Sequence, residues 1–400
     1  MNRAIIAVWT ALLCITGVAR AAAAADGITE REIVFGQVAP LSGPASALGQ
    51  GMRLGIEAAF AEINAQGGIH GRRLLLVSRD DGYDPDRSLA ETRRSLDEDK
   101  VFALIGAVGT PTSIVTAPLA AAAGVPFIAP FTGASLLHTP DLPTVVNLRA
   151  SYAAEAQAWV RYLVAQRRMS RIAIFYQDDA FGRDALAGLK AALDAHGIDL
   201  AAEATFERNT SAVRSALRTL ARAAPEAVVM VGSYKPCAEF IHEARRTGFN
   251  PVFVNISFVG ADALADDLGA EGRGVIVSQV VPLPWDTSIK AVADYQRALR
   301  AFDWSARPGF VSLEGYLAGR LVGRALDRLG PAPTRQALVS ELRQVRSLLP
   351  APTPASSNEN TDRDAAPVFM TVIGTNGAFR SLPPPDEAGA RIEDLRGSHL

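Results

Sequence analysis

The sequence predicts an α/β protein of two doubly wound, Rossmann-like lobes, and three observations carry that expectation. Apolar runs of strand length alternate with amphipathic segments of helix length, the pattern of parallel sheets covered by helices. The runs fall into two series, each long enough to build its own sheet. With 400 residues and 48% hydrophobic content, the chain has ample material for two cores.

Taken in order, the chain opens with Arg3, an apolar stretch from Ala4 to Val18 and a small-residue run ending at Ala25. This reads as a secretory signal cleaved before Asp26, because the stretch is shorter than the ~20 apolar residues of a spanning helix. Cys14 sits behind Leu12-Leu13, inside the apolar core, and reads as part of the discarded segment rather than a lipidation site. Cleavage removes Arg3 and Arg20 and no acid, so the formal charge moves from −2 to −4. Neither value points to nucleic acid or to a polybasic membrane contact. Only Cys237 remains beyond the signal, so no internal disulfide is expected. It reads as a small packing residue.

The first strand series is 32–38, 73–78, 102–106, 126–129 and 144–148, and the second is 171–176, 201–206, 226–231, 252–256 and 274–280. Between the first two strands, Ser42-Gly43-Pro44 reads as a turn and Met52, Ile56, Phe60 and Ile63 as one helix stripe. Asp84-Pro85 places an N-cap ahead of proline at a first helical position, and Thr110-Pro111 repeats the arrangement. Further helices are expected over 151–163 and 182–196. A stripe of Ile289, Val292, Tyr295 and Leu299 and a second helix from Val311 to Leu329 follow. The Pro/Ser/Asn-rich stretch 349–366 reads as an exposed loop, 367–382 as a hairpin around Asn376-Gly377, and 383–400 as a frayed tail.

Four motifs, in this order and spacing, carry a resemblance. They are Leu41-Ser42-Gly43-Pro44, the run Ile63-Asn64 to Gly71, Asp80-Asp81 with Asp84-Pro85, and Arg171 to Gly182. Together the chain from Ile33 to Phe379 resembles the type I periplasmic solute-binding proteins, the leucine/isoleucine/valine-binding protein family. The resemblance implies two lobes joined by a multi-crossing hinge. Signal peptide 1–25 would be followed by lobe 1 at 26–148, lobe 2 at 149–280, helices returning to lobe 1 at 281–348, and the 367–382 hairpin returning to lobe 2. It also implies a monomeric periplasmic protein that captures a small solute, presents it to an ABC-transporter permease, uses no cofactor and catalyses nothing.

Ligand chemistry is expected where strand ends meet helix starts, because free backbone N–H groups and the positive helix end favour a carboxylate there. By the resemblance, Ser42 and Leu48 belong to the first loop, and Thr110 to a loop that grips the ligand carboxylate; Thr110 also reads as a plain helix cap. Phe131, Thr132 and Gly133 form the next loop, in which glycine replaces an expected hydroxyl at position 133. In the second lobe Asp178 or Asp179 is either a ligand contact or a cap, while Phe181 and Tyr234 stand where covering aromatics occur. Ser257 takes the place of the glutamate that faces a ligand ammonium, and Leu48 the place of a tyrosine. A buried ammonium without a counter-charge is costly, so either Asp178, Asp179 or Glu314 replaces that acid or the ligand has no amine. Tyr83 and Gly109 stand where the family carries two cysteines.

Enzymatic motifs are missing from the sequence. His70, His138, His196, His242 and His399 lack metal-ligand spacing, and Gly106-Ala107-Val108-Gly109 lacks the rest of a dinucleotide fingerprint. No Gly-x-Ser-x-Gly or Walker-type run occurs. A periplasmic sensor feeding a membrane receptor is the alternative reading, and a soluble hydrolase or dehydrogenase a formal third.

Overall fold

The structure is a computed structural model describing residues 26–345 and 367–382. The expected signal peptide, the 349–366 loop and the 383–400 tail lie outside the described residues.

The first sheet is built from β1 (Glu32–Ala39), β2 (Arg73–Asp80), β3 (Ala103–Ile105), β4 (Phe127–Ile128) and β5 (Val145–Val146). All its pairs are parallel, in the order β2-β1-β3-β4-β5. Helix α1 (Ser46–Ala65) follows β1 and buries the expected stripe of Met52, Ile56, Phe60 and Ile63. Helix α2 (Pro85–Asp97) starts as its sequence requires, with the Asp84 carboxylate accepting from the N–H groups of Asp86 and Arg87.

Helix α3 (Thr110–Ala122) corrects the sequence reading, since its cap is Gly109 at φ +98° and Thr110 is already helical. The reason lies in another loop: the Tyr83 ring occupies the space of a side chain at 109, where a Cβ would lie 2.2 Å from its Cε2. The two positions where the resemblance implies cysteines therefore touch here, ring against backbone.

The chain leaves the first sheet after β5 and enters α4 (Tyr152–Val160), capped by Ser151, whose hydroxyl accepts from the Ala154 N–H. The second sheet holds β6 (Ile172–Gln177), β7 (Ala202–Phe206), β8 (Ala227–Val231), β9 (Val252–Asn255) and β10 (Ile276–Gln279), all parallel. Its helices are α5 (Ala180–Asp194), α6 (Arg214–Ala223), α7 (Tyr234–Arg246) and α8 (Ala261–Leu268).

After β10 come α9 (Lys290–Phe302), α10 (Phe310–Leu329) and α11 (Arg335–Val345). These pack on the first sheet's side. Gly55 of α1 and Gly315 of α10 let the two backbones meet: a Cβ at 55 would lie 1.9 Å from the Ser312 carbonyl, and one at 315 would lie 2.3 Å from that of Met52. Arg343 of α11 donates to the carbonyl of Pro143, just before β5. Strands β11 (Phe369–Ile373) and β12 (Phe379–Ser381) then add to the second sheet as antiparallel edge strands, giving β12-β11-β10-β9-β8-β6-β7.

Candidate functional site

The carboxyl ends of both sheets face one another, and a buried aromatic cluster closes the space between them. Tyr83 and Phe131 come from the first sheet's loops, while Tyr152, Phe181 and Phe258 come from the second lobe. The Phe258 ring lies 6.0 Å from Tyr83, 5.5 Å from Phe131 and 4.6 Å from Phe181, and Phe181 lies 5.4 Å from Tyr152. Gln177 donates to the Tyr83 hydroxyl at 3.3 Å, a further tie across the cleft. Burial, first, and the nearby Asp179 carboxylate push the Tyr83 phenol well above its ordinary range, so it remains protonated.

Two threonines stand at the first lobe's edge of this cluster. The Thr110 and Thr132 hydroxyls are 2.7 Å apart, and Thr132 is 3.0 Å from the Tyr152 hydroxyl, all three groups being buried. Because Gly109 makes the cap, Thr110 is free of that task and its hydroxyl faces the neighbouring loop. Asn147 fixes this loop by donating to the Thr132 carbonyl at 2.8 Å. Glycine at 133 is a steric necessity, since a Cβ there would sit 2.5 Å from the Ala150 carbonyl. The missing hydroxyl has no room.

A charged chain of side chains borders the aromatic cluster. Arg149 is 3% exposed, lies 4.0 Å over the Phe131 ring, and donates from Nη1 to both Glu314 oxygens at 3.0 and 3.1 Å. Its Nη2 donates to the Ser257 hydroxyl. Ser257 in turn donates its hydroxyl to Glu155 at 2.7 Å and its N–H to the same carboxylate at 2.9 Å. Ser278 also donates to Glu155, and Trp159 donates to Ser278 at 2.9 Å. Burial raises the Glu314 carboxyl to about 7, with Arg149 opposing the rise and Glu155 adding to it. Arg149 and Glu314 line a cavity of about 50 Å³ with Met52, Ala129, Leu148 and Val281.

Residues 32–378 match the family model described as periplasmic binding protein. The chain belongs to this family. A possible leucine/isoleucine/valine-binding protein from Rhodopirellula baltica has a similar structure, at 36% identity and a TM-score of 0.80, covering 90% of this chain and 97% of that one. A substrate-binding periplasmic protein from Ralstonia solanacearum is 28% identical with a TM-score of 0.80, covering 88% of this chain and all of that one. Over 328 residues the chain is 25% identical to the Leu/Ile/Val-binding protein BraC3 of Rhizobium johnstonii, covering 80% of this chain and 86% of the relative. These relatives are named as leucine/isoleucine/valine-binding or substrate-binding periplasmic proteins. Among the described residues no helix is long and apolar enough to cross a membrane, and no group of His, Cys, Asp and Glu has the makings of a metal site.

In this binding protein the structure gathers Thr110, Phe131, Thr132, Gly133, Phe181 and Ser257 around the aromatic and charged contact, sets Leu48 and Tyr234 at a second contact between the lobes, and leaves Ser42 and Asp178 outside both. Leu48 is buried with its Cδ2 where a Cβ on Gly260 would be, and the two residues line a groove of about 890 Å³. Tyr234 closes beside it, its hydroxyl accepting from the Ala47 N–H at 3.4 Å. Ser42 is spent on a turn. With the N–H groups of Leu41 and Gly82 it bonds Asp80, and against the opposing effect of partial burial these bonds hold that carboxyl well below its usual range.

The three acids named as substitutes for the missing glutamate are all engaged. Asp178 is exposed and paired with Arg183 at 2.6 Å, outside the cluster. Asp179 caps α5 through the Phe181 N–H and holds Gln177 and Arg208. Glu314 is bound to Arg149.

Sequence reasoning missed Phe258, Arg149 and Glu155. Arg149 left a signal, being the one cation between Leu148 and Ala150 where the chain leaves the first sheet. Glu155 left a weaker one, four residues after the Ser151 cap on a helix face otherwise apolar. Phe258 left none that distinguishes it from a core residue.

Proposed function

We propose that this binding protein captures a small carboxylate-bearing solute in the interlobe cleft and hands it to a permease of an ABC importer. The solute has an apolar or aromatic body and no ammonium group. The observation that carries the reading is the pairing of two buried hydroxyls, Thr110 and Thr132, beside five aromatic rings, in a cleft where Asp178, Asp179 and Glu314 already have cationic partners. Hydroxyls beside the start of α3 suit an anion. An ammonium entering the same space would find Asp178, Asp179 and Glu314 already paired with arginines, and Glu155, a buried acid without a cation among the described residues, already holding the Ser257 N–H and the Ser257 and Ser278 hydroxyls, so its desolvation would be poorly compensated.

Residues 1–25 direct the chain to the periplasm, where it acts as a monomer that opens and closes about the crossings between its sheets. Leu48, Phe131, Gly133, Phe181, Tyr234 and Ser257 line the closed site, and Ser42 shapes its first loop. N-terminal sequencing of the exported protein should return Asp26. Small-angle scattering should show that a saturating carboxylate such as 4-methylpentanoate or benzoate compacts the molecule, and calorimetry should show that it binds. Unchanged dimensions with the ligand bound would remove the closing motion from the account, and an intact N-terminus would remove the export.

A further inference from the structure

We propose that Arg149 is the charged anchor of the cleft, receiving the solute carboxylate on its Nε–Nη2 edge while Glu314, its resident counter-ion, takes up a proton. The inference rests on the carboxylate reading above and names the group that holds the charge.

Arg149 lies between the lobes, with Phe131 of the first beneath its guanidinium and Ser257 of the second on Nη2. An arginine offers its strongest grip as a fork of two parallel N–H donors. Here the Nε–Nη2 fork is only half used. Glu314 takes both its bonds from the single nitrogen Nη1, Ser257 takes one from Nη2, and Nε is buried without a hydrogen-bond partner. A buried, unpartnered donor on a cation is costly, and the missing partner that fits its geometry is a carboxylate bridging Nε and Nη2. Arg149 and Glu314 also line a cavity of about 50 Å³. Ser257 can release Nη2 and keep its bonds to Glu155.

Two carboxylates around one guanidinium repel one another. The charged groups that face Glu314 are Arg149 and Glu155, and burial has already raised its carboxyl to about 7. A second anion on Arg149 raises it further, so the solute and a proton bind together. Affinity then climbs as pH falls through neutrality, although the solute itself stays ionised.

The probes are benzoate and 4-methylpentanoate with their neutral amides, benzamide and 4-methylpentanamide, bound to the full chain and followed by calorimetry at about pH 6 and pH 8. The wild type should prefer acids to amides and bind the acids roughly tenfold more tightly at the lower pH, the limit for one coupled proton being tenfold per unit. Glu314→Gln should bind the acids at both values as tightly as the wild type does at the lower one, a gain that a merely structural glutamate would not give. The double variant R149Q/E314Q, which keeps the buried pair neutral, should lose the preference for acids. Retention of that preference in the double variant overturns the anchor and leaves the carboxylate reading standing. Weaker binding by Glu314→Gln at both pH values also overturns it, and stands as a test if the double variant does not fold. A wild type that takes none of the acids overturns the carboxylate reading and the anchor with it.

Discussion

The contact between the lobes has two parts of opposite chemistry. One is the cluster of Tyr83, Phe131, Tyr152, Phe181 and Phe258; the other is the chain from Glu314 through Arg149 and Ser257 to Glu155. Burial of apolar ring area is non-directional, so a solute with an apolar body can replace one ring's neighbours with little penalty beyond the area exchanged. The charged chain is directional, and each member left without a partner incurs its full desolvation cost. On the proposed function, the rings would set the size and apolar character of what enters, and the charges its sign. Phe131 belongs to both parts, under Arg149 and beside Phe258, and couples them.

The largest expected effect of breaking this contact is on the aromatic side. Phe258→Ala removes a fully buried ring that touches both lobes and should cost about 3–5 kcal/mol of stability by denaturant titration. A loss below about 1 kcal/mol would mean that the rings do not hold the lobes together.

On the charged side the effect depends on pH. The folded carboxyl of Glu314, raised to about 7 by burial, favours the protonated form, so its contribution is complete below the unfolded value of 4.5 and is lost as pH rises through about 7. Glu314→Gln removes that loss. From about pH 5 to about pH 8 the wild type should lose up to about 3 kcal/mol more than the variant does, over and above the pH-independent cost of leaving Arg149 without its counter-ion, read from melting curves across the range. Parallel curves for the two proteins would contradict the assignment.

Smaller effects separate binding from stability. Thr110→Ala should weaken carboxylate binding by about 1.5–3 kcal/mol, the range for a hydrogen bond to a charged group. Its stability should fall by only about 1 kcal/mol, because the lost bond is to Thr132 and not to the helix start. Calorimetry and melting curves on one preparation give both numbers. Asp178→Asn should leave affinity unchanged and move stability by less than about 0.5 kcal/mol, since its exposed pair with Arg183 is screened by solvent.

The architecture was legible because each strand is an apolar run of its own, from β1 to β10, and Asn376-Gly377 marks the last hairpin. Local chemistry also reads well where the partners are close in sequence, as at Asp84 and Ser151. Thr110 misled because the cap depends on Gly109 turning away from Tyr83, a residue of a different loop. The interlobe cluster was hidden for the same reason on a larger scale. Tyr83 and Phe258 meet only when the two sheets come together, and nothing near either residue in the chain announces the other. The fate of the expected glutamate was half visible: Ser257 showed that the acid was gone. That Ser257 is bound between Arg149 and Glu155 needed two segments about a hundred residues apart in place.

The central claim is that this binding protein takes an anion without an ammonium group. Calorimetry of the chain from Asp26 with leucine and valine beside their deaminated acids, 4-methylpentanoate and 3-methylbutanoate, tests it most directly. The account predicts that each acid binds at least about tenfold more tightly than its amino acid, a difference of about 1.4 kcal/mol or more. Leucine or valine binding at micromolar levels or tighter, with the deaminated acids no better, would contradict it.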